Sequence, residues 1–216
     1  MKFDEKYWLF EEKVRKYRLE SVKKCYEEIL NEIKTMTGSP KRRLFMLDIG
    51  CGYGYFLRIC FAYGFKCAGI DISKYALERL KNTLIDVILA DAQSGFPLKS
   101  NSIDVVVMLE VIEHLEKPTK VAKEISRVLK TNGILYITTP NRNALGRLML
   151  RHKWYGFLDK THRMLFTPSS LCSLIEKEGF NIIKIYEPFR VPLLKHIGIV
   201  SRIGLGGQIR LVAKKA

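Results

Sequence analysis

The run "MLDIGCGYGYFLRICFAYGFKCAGIDIS", Met46–Ser73, constrains the fold of this chain more than any other stretch. An apolar segment ends on Gly50, Gly52 and Gly54, and a second apolar segment ends on Asp71. A strand that enters a glycine-rich turn and then a helix brings bare backbone to the carboxyl edge of a sheet. Glycine is needed there because a Cβ would strike a ligand or forbid the turn. Asp71 follows Gly52 by 19 positions, the offset at which a carboxylate meets the ribose hydroxyls of an adenosine-containing ligand. A dinucleotide fingerprint needs a third glycine where this chain has Tyr55, and the Gly-Lys-Ser/Thr of a phosphate loop is absent. Asp48, ahead of the first glycine, suits a ligand with positive charge or ammonium donors and would repel a pyrophosphate.

The rest of the chain alternates in the same way. The spacing predicts a helix over Phe3–Met36, a break at Thr37–Arg43, strand Leu44–Ile49 and a helix from about Gly54. Strand Lys66–Asp71, helix Ser73–Thr83 and strands Asp86–Ala90 and Ile103–Leu109 follow. Helix Pro118–Lys130, strand Ile134–Thr139, helix Pro168–Glu178 and strands near Phe180–Glu187 and Gln208–Lys214 complete the series. Such alternation argues for βαβ units, hence an α/β, Rossmann-like, doubly wound sheet with helices on both faces.

The 216 residues suit one domain with appendages. We expect a helical cover over residues 1–40 and a ligand-binding domain over 41–216, with a lid insertion at about 141–163. The net charge of +15 is uneven: residues 1–43 carry +4, 44–140 carry +1 and 141–216 carry +10. Either contact with a polyanion or anionic membrane, or simple solubility, would account for that excess. Five cysteines without a CxxC pair argue against a disulfide framework or zinc site, and the N-terminus is too charged for a signal peptide. A cytoplasmic protein is expected, with a peripheral position at the membrane as the alternative.

The segment Asp48-x-Gly50-x-Gly52-x-Gly54 resembles the first motif of the class I S-adenosylmethionine-dependent methyltransferases. "FPLKSNSIDVVVMLEVIEHL" is similar to that family's fourth-strand region, and "AKEISRVLKTNGILYITTPN" to its next helix, Gly turn and fifth strand, so the likeness runs over roughly residues 44–187. It implies seven strands, the last antiparallel, and S-adenosyl-L-methionine as donor. Gly50 and Gly52 would lie against its methionine and ribose parts, Asp71 would hold the ribose hydroxyls and Asp91 would face the adenine amine. Asp48, Cys51, Ile72, Ala92, Leu109 and Glu110 complete the expected donor site, the last two at the pocket floor.

A second constellation follows the fourth strand. "LEVIEHLEKP" carries Glu110, Glu113 and His114, and "DKTHRMLFTPSSL" carries His162. One helical turn would set Glu110, Glu113 and His114 on a single face. Two carboxylates and two imidazoles suit Mg, Mn, Fe or Zn. The run "TTPNRN…LM…THRMLFTPSSL" is similar to the ubiquinone-biosynthesis O-methyltransferases, which methylate catechol hydroxyls of polyprenylated aromatics. The E-x-x-E-H pattern also resembles small-RNA 2′-O-methyltransferases, in which the corresponding residues hold a divalent ion. Without a metal, His114 or His162 is a candidate general base, assisted by Glu113, and a purely structural histidine is the plainer reading.

Leu145, Leu148 and Met149 with Arg147, Arg151 and Lys153 form a basic amphipathic segment, either a lid or a membrane-surface helix. Pro192–Gln208 is expected to connect the last two strands and overhang the acceptor, and the N-terminal helix, with Tyr7, Trp8 and Tyr17, either covers the ligand or simply docks on the domain. Phe157, Phe166 and Phe189 could stack on bases. The acceptor therefore stays open: a small or lipid-linked hydroxyl compound, or RNA. A non-catalytic ligand-binding protein on the same fold is the third reading.

Overall fold

The computed structural model describes residues 7, 19–38, 43–144, 159–188 and 207–216. Seven strands form one sheet: β1 (Phe45–Ile49), β2 (Lys66–Asp71), β3 (Asp86–Leu89), β4 (Ile103–Leu109), β5 (Leu129–Pro140), β6 (Phe180–Tyr186) and β7 (Gln208–Lys215). Their order is β3-β2-β1-β4-β5-β7-β6. β1 to β5 pair in parallel, and β7 runs antiparallel to both β5 and β6. The expected fold class and its reversed last strand are therefore what the chain adopts.

Among the described residues, five α-helices cover the sheet: α1 (Leu19–Thr37), α2 (Tyr55–Ala62), α3 (Lys74–Glu78), α4 (Pro118–Val128) and α5 (Pro168–Lys177). Strand periodicity divides the core into two layers. Val106 and Met108 of β4 and Leu135 and Ile137 of β5 pack on Val121 and Ile125 of α4 and on Leu171 and Ile175 of α5. Val105, Val107, Ile134 and Tyr136 point the other way, onto Ile29, Leu30 and Ile33 of α1 and Phe56, Leu57 and Cys60 of α2. Each fully buried aliphatic side chain contributes roughly 1.5–3 kcal/mol relative to an exposed one.

Several boundaries differ from the sequence expectation. α3 stops at Glu78 and continues only as turns, so the helix predicted to Thr83 is shorter. α4 ends at Val128: Leu129 adopts extended angles and pairs with Ile103. α1 docks on the sheet as a layer of the core, its apolar stripe packing on β5 and α2. The segments expected to hold Trp8 and Tyr17, the amphipathic stretch at 145–158 and most of Pro192–Gln208 lie outside the described residues.

Candidate active site

The strand order reverses between β1 and β4, and in such sheets the crevice outside the carboxyl ends at that point receives ligands. The loops after both strands meet there. Gly50 has a φ of 74°, and a Cβ on it would lie 2.4 Å from Val111 Cγ2, in the loop after β4. Glycine is therefore required for the turn and for the close approach together. Gly50 N–H and Cys51 N–H donate to Ile70 O of β2 at 2.7 and 3.2 Å, which pins the loop across the crevice floor.

Asp71 ends β2 and is 6% exposed. Its carboxylate accepts from Gly52 N–H at 2.8 Å and Ser73 N–H at 2.7 Å. Burial raises its pKa against the pull of these amide bonds. A carboxylate offers about four acceptor positions, so its bonds to the Gly52, Ser73 and Ile72 amides still leave capacity for a ligand hydroxyl. Ile72, beside it, is 53% exposed, an apolar surface at the mouth. Asp91 and Ala92 stand just after β3, where Asp91 Oδ1 accepts from Gln93 N–H at 2.9 Å and starts a short 3₁₀ turn. Asp48 is buried within β1, and Cys51 is buried with its thiol pKa pushed up by burial and by the Asp48 carboxylate. Leu109 closes β4 at the edge of the α1–α2 layer.

The second constellation assembles differently from the sequence expectation. Ile112–His114 is a 3₁₀ turn, and Glu110 precedes it in a left-handed conformation, φ 57°. Glu110, Glu113 and His114 therefore do not share one α-helical face. Glu110 N–H donates to Thr138 O at 3.0 Å, and its Oε1 accepts from Gln208 Nε2 at 2.8 Å. Glu113, His114 and His162 do converge, with candidate ligating atoms all within 4.8 Å of one another. The chain from Asp159 to Phe166 returns to the segments just after β4 and β5: Arg163 N–H and Met164 N–H donate to Glu113 O at 2.8 and 3.1 Å, and Arg142 N–H donates to Phe166 O at 2.8 Å.

Glu113 is fully buried. Its Oε2 accepts from Thr139 Oγ1 at 2.9 Å. Its Oε1 has no hydrogen-bond partner among the described residues and lies 3.9 Å from His162 Nε2. Burial, then the Glu110 carboxylate, pushes its pKa well above the usual carboxylate range. His114 and His162 rings lie 4.8 Å apart between centroids, tilted at 54°. Burial and the His162 imidazole lower the His114 pKa, which favours the neutral ring. His114 Nδ1 is 2.8 Å from Thr161 Oγ1, which bonds Asp159 Oδ1 at 2.5 Å. Tyr7 OH reaches Asp159 Oδ2 at 3.5 Å, tying the N-terminal segment to this edge.

Sequence reading missed Thr138, Thr139, Asp159, Thr161 and Gln208. Asp159 had a readable signal, because an aspartate two residues before Thr161 predicts the turn in which Thr161 N–H donates to Asp159 Oδ1 at 2.8 Å. Gln208 had none, since only β7 pairing brings it to Glu110.

Comparisons with known proteins agree with this architecture. The family described as "Methyltransferase domain" matches residues 15–185. Two similar curated proteins are ubiquinone biosynthesis O-methyltransferases. That of Thiobacillus denitrificans is 30% identical over 119 residues, 52% of this chain and 51% of the relative. That of Photobacterium profundum is 28% identical over 148 residues, 61% of each. The chain thus spans about half to three-fifths of the length of these relatives. Among solved structures, a SAM-dependent methyltransferase from Archaeoglobus fulgidus is 26% identical, with 97% of this chain and 99% of that one covered and a TM-score of 0.74. A Thermotoga maritima structure, described as a SAM-dependent methyltransferase and possible histamine N-methyltransferase, is 24% identical with a TM-score of 0.68 and covers 97% of this chain and 100% of its own.

Proposed function

The chain belongs to the class I S-adenosylmethionine-dependent methyltransferases, and from that premise we propose that it methylates a hydroxyl of a small-molecule or lipid-linked acceptor. The observation that carries this reading is the joining of two half-sites at one crevice. The Gly50–Gly54 turn with Asp71 lies on one side, and the Glu113–His114–His162 cluster lies on the other.

The donor half fits S-adenosylmethionine. Gly50 and Gly52 offer bare backbone, Asp71 offers acceptor capacity for a ligand hydroxyl, and exposed Ile72 offers an apolar face. Asp91 stands at the end of the neighbouring strand, within the same edge. When bound, the donor supplies a sulfonium methyl group, with a neutral thioether as leaving group. The chain's own contribution is alignment and exclusion of water. His114, held neutral by burial, takes the acceptor's hydroxyl proton, which sharpens the oxygen as nucleophile. Glu113, His162 and Asp159 set the field around that proton.

The acceptor class is supported by the two ubiquinone biosynthesis O-methyltransferases and by imidazoles suited to a hydroxyl proton. A second reading is favoured by the buried, unpartnered Glu113 Oε1 beside two imidazoles: a divalent ion such as Mg or Mn held by Glu113, His114 and His162. Such an ion would lower the pKa of an acceptor hydroxyl. Glu110 is turned toward Gln208 and is outside that set.

The test is incubation of the purified chain with methyl-labelled donor, a catechol series and fractionated cell extract, with and without chelator. Label in an alkali-stable ether of a catechol supports the proposal. Label in ribonuclease-sensitive material would transfer the assignment to RNA, and label on nitrogen would overturn O-methylation. Activity unaffected by chelator would remove the metal reading.

A further inference from the structure

Thr161 stands between a carboxylate and an imidazole, and it meets the imidazole through its backbone as well as its hydroxyl. Both Thr161 N–H and Thr161 Oγ1–H point at Asp159 Oδ1, at 2.8 and 2.5 Å. An ionised carboxylate only accepts, so the single hydroxyl hydrogen of Thr161 is committed to Asp159. Toward His114 Nδ1, at 2.8 Å, the same oxygen is then left as an acceptor. Nδ1 must be the donor. A neutral imidazole carries one hydrogen, so Nε2 keeps its lone pair.

We propose that Asp159 and Thr161 are positioning residues that lock His114 in its Nδ1–H tautomer, with the basic lone pair on Nε2. The inference rests on the methyltransferase reading for its purpose, since it names how the proton acceptor of that site is set, but not for its geometry. A hydroxyl takes the place of the carboxylate that usually contacts such an imidazole directly. That spacing keeps the negative charge one residue further out while fixing the ring through a neutral group. Among the described residues, Tyr7 and His162 also face Asp159, Glu113 feels its charge, and His162 faces His114. The lock requires the Asp159–His162 segment to be in place against the turn after β4, which the Arg163 and Met164 amides secure through Glu113 O.

The test is nitrogen NMR of the full chain labelled in histidine, with His114 assigned by its loss in His114→Gln. The expected result is a protonated Nδ1 and an unprotonated Nε2 near neutral pH. Thr161→Val, which keeps the shape and removes the hydroxyl, is expected to mix the tautomers, and Thr161→Ser to restore the wild-type pattern. On a reactive acceptor, Thr161→Val should lower kcat roughly 10–100-fold with KM little changed, the scale seen when an orienting partner is lost. An Nε2–H tautomer in the wild-type protein, or an unchanged pattern in Thr161→Val, would overturn the proposal. If Thr161→Val does not fold, the wild-type tautomer still decides. Donor binding is measured on the same sample: no donor uptake with the expected tautomer defeats the methyltransferase reading and leaves the lock standing.

Discussion

At the scale of single residues, Glu113 is a carboxyl whose charge the site disfavours, through burial and the Glu110 carboxylate. Its carboxyl is buried, one oxygen bonds Thr139 and the other has no hydrogen-bond partner among the described residues. A carboxyl whose folded pKa is raised stabilises the fold fully below the unfolded value, and that contribution is lost as pH rises toward the folded value. Glu113→Gln keeps an acceptor for Thr139 and removes the charge. It should stabilise the ligand-free protein at neutral pH by roughly 1–3 kcal/mol, with the gap closing as pH falls through the ordinary carboxylate range, in thermal melts across pH. The same variant should lose turnover. Gly50→Ala is expected to act oppositely: its Cβ would meet Val111 and its backbone is left-handed, so a cost on the order of 1–3 kcal/mol and weaker donor binding should appear in melts and titrations. At this scale the sequence was most legible where backbone demands glycine. It was least legible at Glu110, because an E-x-x-E-H pattern carries no mark of the positive φ that turns Glu110 toward Gln208.

At the scale of elements, α1 is tied to β5 and β6 by a polar network. Glu32 accepts from Tyr136 OH at 2.8 Å, Tyr186 OH at 2.5 Å and Lys184 Nζ at 2.6 Å. Burial would raise the Glu32 pKa, but these three partners outweigh it and leave the carboxyl below its ordinary value. A depressed carboxyl stabilises above the unfolded pKa, and that contribution is lost as pH falls through the folded one. Glu32→Gln should therefore cost stability at neutral pH, roughly 1–3 kcal/mol, and flatten the acid limb of the melting curve. Arg210, on β7, extends the network from Gln208 to Cys25 Sγ at 3.1 Å. None of this was readable beforehand, because it depends on β7 entering between β5 and β6. The elements themselves were readable by periodicity. Their ends were not, since Leu129 continues an apolar pattern that suits a helix but pairs as a strand.

At the scale of the whole molecule, the reversal of strand order between β1 and β4 sets both half-sites on one edge. Alternating strands and helices announced that layout, whereas the Glu113–His114–His162 cluster was legible only in part, because it needs residues 159–166 to return against the turn after β4. If α1 is a core layer, Ile33→Ala should destabilise the entire domain by about 2–5 kcal/mol and speed thiol labelling of buried Cys60 in proportion. Labelling of Cys60 that ignored Ile33→Ala would show α1 to fold apart from the sheet. The central claim is that Asp71 and the Gly50–Gly54 turn hold the methyl donor, and its most direct test is calorimetric titration with S-adenosylmethionine. Saturable one-to-one binding, weakened at least about tenfold by Asp71→Ala at unchanged fold, is the expected result, a loss of about 1.4 kcal/mol or more. Absence of binding by the folded chain, or equal binding by Asp71→Ala, would contradict the account.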